Sequence, residues 1–565
     1  MNHPLRAATG ALSLLTLMSA CGGSDDPAPL PQLSAATGAS IAYCAELATR
    51  ISFPNTSITA ATPVAAGTLT VAGTPIGAHC LVTGNMNERT STVDGNAYAI
   101  GFQMRLPNAW NGRFFYQANG GTDGSIGTAT GGVNGGAGLT NALNLGFAVL
   151  SSDAGHLGSL GPNFGIDPQA RLDYGYNAVA ALTPMAKSAI NSAYGKRPDR
   201  SYIGGCSNGG RHTMVASARF ADQYDGFLVG DPGFRLPLAA IANVAAYQSY
   251  ATVASDPADV STGYTQTERT LVANAVLAKC DALDGSTDGL VQDTNACQAA
   301  FNLDRDVPTC TGARDGTCLS AAQKLVIGKR FSGVTTSTGT KFYSSWPYDT
   351  GVASGNTPTW YWTAPWQRDA GAIAFIWQVP PESPTGFDGT AFAATSNIDT
   401  LLAKIQATNA TYTENALSFM TPPSPSQLGT LKNRGAKMMV YHGASDPIFS
   451  SDDTTTWYND VRASNSGDAS AFARFYRVPG MTHCSGGVTT DQFDMLTPLV
   501  AWVEQGQAPD SVTASARGVG NAAGANVDIP TTWSPTRSRP LCPYPKVAKY
   551  KGSGDIELAA SFSCQ

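Results

Sequence analysis

The sequence predicts an α/β fold with a largely parallel sheet, interrupted by a long insertion. Three observations predict it. Short apolar runs alternate with helix-length amphipathic stretches over residues 39–233, and the same pattern resumes over 428–565. The block between them, 234–427, has a different character, rich in Asp-Gly turns, close cysteine pairs and tryptophan. A glycine-flanked serine also sits where a predicted strand meets a predicted helix.

Composition agrees and narrows the function. At roughly 150 residues per domain, 565 residues are more than one unit, or one large domain with an insertion. Lys and Arg number 35 against 41 Asp and Glu, a net charge of −6, which lacks the basic face a nucleic-acid partner calls for. An apolar content of 42% excludes disorder for the bulk of the chain. Sixty glycines and 34 prolines favour turns and long ordered loops over a helical bundle. Beyond the N-terminus no apolar run reaches the length of about 18 residues that a spanning helix needs.

Residues 1–20 read as an export signal, with Arg6 followed by an apolar stretch that ends Leu17-Met18-Ser19-Ala20-Cys21. That ending is a lipobox, in which Cys21 is acylated and becomes the first mature residue. The alternative is an ordinary secretory signal with a chance cysteine. Both export the chain, as an outer-membrane lipoprotein (periplasmic or extracellular) in the first case, touching the membrane only through Cys21. Residues 21–38 read as a linker.

In the first core block, 39–233, strands are expected at Ala97–Leu106, Arg113–Tyr116, Phe147–Ser151 and Tyr202–Gly205. Helices are expected at Asp173–Tyr194 and Arg211–Phe220. The insertion, 234–427, carries Trp346, Trp360, Tyr361, Trp362, Trp366 and Trp377, and is expected to form a lid. In the second core block, 428–565, strands are expected at Lys437–Gly443 and Ala473–Gly480 and a helix at Thr490–Gln505.

Setting Cys21 aside, ten of the 11 cysteines remain, an even number in an oxidising compartment. Neighbours along the chain suggest Cys44–Cys80, Cys280–Cys297, Cys310–Cys318 and Cys542–Cys564, which leaves Cys206 and Cys484 to pair. Spacing alone does not fix this connectivity.

Gly205-Cys206-Ser207-Asn208-Gly209 matches G-x-S-x-G between strand and helix, where glycines permit the sharp turn that lifts a serine hydroxyl clear of the backbone. A serine nucleophile needs a base. In chain order serine, acid, histidine, only His442 and His483 lie late enough among six histidines. His483 sits in a glycine-flanked loop after a strand and is the expected base. Asp446, on the loop after strand Lys437–Gly443, is the expected acid, which fixes the imidazole tautomer and stabilises the imidazolium. His442 precedes it and reads as a pocket wall or as a hydrogen-bonded structural residue. Asp452 and Asp453 compete for the role of acid, but look more like a helix N-cap. A Cys206–Cys484 bridge would join nucleophile and base directly.

Gly205–Gly210, the loop Gly480-Met481-Thr482-His483-Cys484-Ser485-Gly486-Gly487 and the segment Cys280-Asp281-Ala282-Leu283-Asp284-Gly285 together resemble the tannase and feruloyl esterase family. So do Phe493–Glu504, Arg539–Pro545 and Tyr550–Ile556, and the resemblance covers nearly the whole mature chain. It implies an α/β-hydrolase core with a large lid inserted between nucleophile and acid, and hydrolysis of aromatic carboxylic esters. It supports the triad Ser207, Asp446 and His483 and the Cys206–Cys484 bridge. It places the oxyanion hole at the backbone N–H groups of Gly121 and Asn208. It implies that Arg368 holds a substrate carboxylate, with Phe449 and Trp360 as aromatic walls. On that pairing the expected substrate is mono(2-hydroxyethyl) terephthalate, cleaved to terephthalate and ethylene glycol. A plant phenolic ester is the alternative, and so is an Arg368 that simply pairs with Asp369.

The segment Asp281–Leu290 offers three carboxylates and turn carbonyls within ten residues, a donor set for a hard cation, without EF-hand spacing. The resemblance implies structural Ca²⁺ in the lid, held by Asp281, Asp284, Asp288 and the carbonyls of Ser286 and Leu290. A solvated Asp-Gly turn is the bland alternative. No organic cofactor and no protein partner are expected. A non-catalytic binding protein on a decayed hydrolase fold is the reading from another class, and a complete Ser207, Asp446 and His483 set speaks against it.

Overall fold

The computed structural model describes Met1 and residues 30–41, 43–132, 138 and 140–565. Residues 2–20 of the export signal, Cys21 and the first half of the linker, to residue 29, lie outside the described residues.

A nine-stranded sheet forms the centre. Its strands are β1 (Thr56–Val64), β2 (His79–Thr90), β3 (Ala97–Pro107), β4 (Arg113–Gln117), β5 (Ala148–Ser152), β6 (Arg200–Cys206), β7 (Gly226–Gly230), β8 (Lys437–Gly443) and β9 (Ala473–Val478). Their spatial order is β9-β8-β7-β6-β4-β5-β3-β2-β1. From β9 to β5 every pairing is parallel. β3, β2 and β1 add an antiparallel wing. β7 and β8 are buried along their whole length, and β6 along nearly all of it. That is why they read as continuous apolar or small-residue runs rather than alternating ones. β2 alternates inward and outward residues, as the half-covered wing requires.

Helix α1 (Ala178–Tyr194) is longer in effect than its expected start at Asp173. A helical turn begins at Pro168, capped by the Asp167 carboxylate at 2.7 Å from Ala170 N, and a π turn over Asp173–Asn177 joins the two. Helix α2 (Asn208–Arg219) starts directly after Ser207, three residues before the expected Arg211. Helix α3 (Leu496–Gln505) corrects the expected start at Thr490. Gln492–Phe493 pair as a strand with Val512–Ser515, and Asp494 accepts from Leu496 N and Thr497 N, so the helix cannot begin earlier. At Ser451–Ala463 the cap is Ser450, which accepts from Asp452 N; Asp452 and Asp453 occupy the first turn.

Neighbouring strands β7 and β8 are separated in the chain by residues 231–436. The insertion's apolar core (Val244, Tyr250, Val272, Ile327, Trp362, Ile376) is continuous with Phe164 and Tyr174 from the first block and Phe449 from the second. It therefore packs onto the core through shared side chains rather than standing on a stalk. Five disulfides form: Cys44–Cys80, Cys206–Cys484, Cys280–Cys297, Cys310–Cys318 and Cys542–Cys564. Among the described residues, no helix is long and apolar enough to cross a membrane.

Candidate active site

Ser207 joins β6 to α2 with φ 66° and ψ −124°, a left-handed backbone that a non-glycine residue adopts only under constraint. The constraint is visible. Ser207 N donates to Gly230 O at 3.0 Å, and a Cβ at Gly205 or Gly209 would strike the Ala118 carbonyl oxygen. Glycines at those two positions let the turn close against the neighbouring strand end.

Three distant segments meet at this turn. His483 Nε2 lies 2.8 Å from Ser207 Oγ, and its Nδ1 lies 2.8 Å from Asp446 Oδ2. Asp446 Oδ1 accepts from Ile448 N at 2.8 Å and Phe449 N at 3.1 Å. Burial opposes charge on Asp446, but His483 and His442 hold its carboxyl well below the usual range. Cys206–Cys484, with Cα atoms 6.2 Å apart, ties the residue before Ser207 to the residue after His483.

His442 lies among hydrogen-bond partners. It is fully buried, with Nδ1 2.8 Å from Thr454 Oγ1, and Nε2 3.1 Å from Phe449 O and 3.3 Å from Asp446 Oδ2. Of its two expected roles, the hydrogen-bonded structural one matches this placement. Burial works against its charged form, yet Asp446 and Asp231 raise its pKa overall. Asp231, at the end of β7, was not anticipated. It accepts from Gly443 N at 2.8 Å, and burial pushes its carboxyl up to about 7.

The loop Asn119–Gly121 lies against the serine: a Cβ at Gly120 would be 3.8 Å from Ser207 Cβ. Gly121 has φ +66° with open space around it. Trp360 and Phe449 flank His483 edge-on, with ring centroids at 4.9 and 5.3 Å. Arg368 lies over Trp360 at 5.1 Å. Its Nε and Nη2 both donate to Asp369 Oδ1, at 3.0 and 2.7 Å, a pairing in which Nη1 takes no part. Asp369 is buried and also receives Asn243 Nδ2 at 3.3 Å.

In the Asp281–Leu290 segment, Asp281 Oδ1 accepts from Asp288 N and Gly289 N at 3.0 Å, and Asp284 Oδ1 accepts from Ser286 N at 2.9 Å. Asp288 Oδ2 pairs with Arg539 at 2.5 Å. Asp284 Oδ2 is buried without a partner, and burial together with Asp288 and Asp281 pushes its carboxyl up to about 7. Ser286 and Leu290 are buried beside them. A buried, orphaned carboxylate oxygen amid further carboxylates fits a hard, oxygen-seeking cation. Two other groupings of ligand-type atoms surround Asp231, with Cys206 and Cys484 or with His442 and Asp446. The first is committed to a disulfide and the second to hydrogen bonds.

Sequence reasoning missed Asp123 and His212, which bond one another beside Asn208 at 2.8 Å. The signal available was position: Asp123 follows Gly121 closely, and His212 lies one turn into α2.

Comparison with known proteins places this geometry. The family model described as tannase and feruloyl esterase matches residues 80–565. Mono(2-hydroxyethyl) terephthalate hydrolase of Piscinibacter sakaiensis is 39% identical over 531 residues, 86% of this chain and 84% of that one. A probable feruloyl esterase B-1 of Neosartorya fischeri is 25% identical, over 81% of this chain and 82% of its own. The crystal structure of feruloyl esterase B from Aspergillus oryzae superposes with a TM-score of 0.73 at 23% identity, covering 92% of this chain and 99% of that one. The likeness in structure establishes an α/β-hydrolase fold.

Proposed function

This chain belongs to the tannase and feruloyl esterase family of ester hydrolases, and from that premise we propose that Ser207 is the nucleophile, His483 the base and Asp446 the acid of an aromatic-ester hydrolase. The observation that carries the reading is the unbroken relay from Ser207 Oγ through His483 to Asp446, both links at 2.8 Å. Ser207 Oγ attacks the ester carbonyl while His483 Nε2 takes its proton. The oxyanion is met by the N–H groups of Gly121 and Asn208. His483 returns the proton to the leaving alcohol, and the acyl-enzyme is hydrolysed by water activated at the same imidazole. No organic cofactor enters.

The substrate we propose is mono(2-hydroxyethyl) terephthalate, released as terephthalate and ethylene glycol. Arg368 supports it: a guanidinium near the aromatic wall can take a carboxylate. The pairing with Asp369 favours a second reading, a phenolic ester of the feruloyl or tannin type, because it already neutralises Arg368 in part. A panel of aromatic mono- and diesters compared by kcat/KM decides between them. Ser207→Ala should lower turnover of every ester by about 10⁴-fold or more. Arg368→Ala should cost about 10–100-fold on the terephthalate monoester, the worth of a charged hydrogen bond, and leave methyl ferulate unchanged. Equal losses on both would remove the carboxylate-pairing role.

We assign residues 234–427 as the lid and the flanking 39–233 and 428–565 as the core. Asp281, Asp284 and Asp288 with the carbonyls of Ser286 and Leu290 would hold Ca²⁺ as a structural ion. Chelation should lower Tm, and added Ca²⁺ should restore it. Five disulfides support an exported protein. A lipid anchor at Cys21 predicts that Cys21→Ser moves the protein from membrane to soluble fractions.

A further inference from the structure

Beneath the loop that carries Gly121 lies a buried polar ring that the reaction does not use directly. Asp123 turns back on the loop, its N donating to Gly120 O at 3.2 Å. Its Oδ2 receives Asn208 Nδ2 at 2.8 Å and His212 Nε2 at 2.8 Å. Asn208 Oδ1 in turn receives Arg211 Nε at 2.6 Å. Arg211 continues to Gly175 O at 2.7 Å and Tyr174 O at 2.9 Å, and Tyr174 Oη donates to Gly121 O at 3.3 Å. The ring therefore closes on the loop from which it began. The Asp123 side chain is 2% exposed, and Asn208, Arg211, His212 and Tyr174 are 3% exposed or less.

Its protonation follows from its partners. A carboxylate only accepts, so His212 must present Nε2–H to Asp123. Arg211 Nη2 lies 3.0 Å from Nε2 and 3.2 Å from Nδ1, and with Nε2 protonated only Nδ1 can accept from it. Burial and the Arg211 cation keep His212 below its ordinary range despite Asp123, which favours the neutral imidazole. The Asp123 carboxyl and the Arg211 guanidinium are joined through Asn208 and His212 rather than in direct contact. Buried charges held this way are costly to disturb.

The two oxyanion donors stand on different segments, Gly121 on the loop after β4 and Asn208 at the start of α2. An oxyanion hole works only if its donors are already in place when charge develops. We propose that Asp123 is a positioning residue for the oxyanion hole, clamping the Gly121 loop to the nucleophile helix through the side chains of Asn208 and His212. This rests on the reading of Gly121 and Asn208 as oxyanion donors of an ester hydrolase. Asn208 thereby does two things: its backbone faces the reaction, and its side chain fixes the partner loop.

A polarity swap tests the clamp. Asn208→Asp sets two carboxylates against each other where an amide now donates. It should lower kcat on a p-nitrophenyl ester by about 10²-fold, the usual cost of one lost oxyanion donor, with KM nearly unchanged. Trapping of Ser207 by an aryl phosphonate, which needs the same donors, should slow in parallel. Adding Asp123→Asn removes the facing charges and lets the new amide donate to the new carboxylate, provided His212 moves its proton to Nδ1 so that Nε2 accepts from the same amide, and should return part of the lost kcat. A merely structural role would move Tm and leave kcat and trapping of the folded fraction alone. The proposal is overturned if Asn208→Asp keeps wild-type kcat, if its loss lies wholly in KM, or if the double variant regains nothing. Should Asn208→Asp not fold, Asp123→Ala and His212→Ala are read by the same kcat and trapping criteria. Failure of the underlying reading looks different: wild-type protein would turn over no ester, or Ser207→Ala would retain the activity.

Discussion

At the scale of single residues, the buried carboxylates around the serine show how surroundings rather than sequence set charge. Asp446 accepts two backbone N–H groups and lies beside two imidazoles, which outweigh its burial. Asp153, at the end of β5, also accepts two backbone N–H groups, from Gly101 at 3.0 Å and Gly155 at 2.9 Å. It has no imidazole to help. Burial, with the Asp123 carboxylate adding to it, pushes Asp153 up to about 7. A carboxyl raised above its unfolded value of 3.8 holds an extra proton in the fold between 3.8 and about 7. Its contribution to stability is thus fully present below the unfolded value and lost as pH rises through about 7. Asp153→Asn keeps an oxygen for both N–H groups and removes the titration. Its Tm relative to wild type should improve by a few degrees between pH 5 and pH 8. A difference in Tm that stays flat with pH would contradict the assignment.

At the scale of elements, the turn at Ser207 was legible because chemistry and geometry ask for the same residues. Glycines at 205 and 209 are what allow β6 and α2 to approach the Ala118 carbonyl. Gly205→Ala and Gly209→Ala each force that contact, and overpacking against backbone costs at least about 1–3 kcal/mol. Both should lower soluble yield and Tm and abolish turnover of p-nitrophenyl esters, whereas an alanine at open Gly195, the αL residue that ends α1, should cost only its backbone strain. The strands were legible for a related reason. Phe227-Leu228-Val229 and Met438-Met439-Val440 are buried on both faces, so the apolar run itself marks them. The starts of α1 and α3 were not. The π turn at Asp173–Asn177 depends on tertiary fit, with Gly175 pressed against Phe419, and the late start of α3 depends on pairing with a strand twenty residues on. Neither constraint leaves a local periodicity to read.

At the scale of the molecule, Ser207, Asp446 and His483, which the structure brings together, could be picked out by their order in the chain, because the fold presents strand ends in a fixed sequence. The Asp123–Asn208–His212 clamp could not. Its hydrogen bonds join segments more than 80 residues apart, and nothing in the spacing of an aspartate and a histidine announces them. The Cys206–Cys484 bridge is the opposite case, a long-range link that was legible through its neighbours. It closes a loop of 278 residues that contains the whole insertion, whereas Cys310–Cys318 closes one of 8. In the chain-entropy account the longer closure restricts the unfolded chain more, by roughly 4–5 kcal/mol or above against about 2–3 for a short loop. The long bridge also holds the His483 loop to the strand end that carries Ser207. Beyond the His483 contacts with Ser207 and Asp446, the loop's anchors include Asn356 Nδ2 to Thr482 Oγ1 at 2.8 Å, Gly487 N to Asp528 Oδ2 at 3.0 Å and Asn526 Nδ2 to Gly487 O at 2.9 Å, none of which reaches β6. Cys206→Ala with Cys484→Ala should therefore lower both Tm and kcat, the latter by about 10–100-fold as the imidazole loses its fixed distance to the hydroxyl. Cys310→Ala with Cys318→Ala should lower Tm less and leave kcat unchanged. Thermal denaturation and ester turnover of the two double variants side by side check both halves, and equal effects on kcat would show that the bridge beside the serine stabilises the chain without aligning the site.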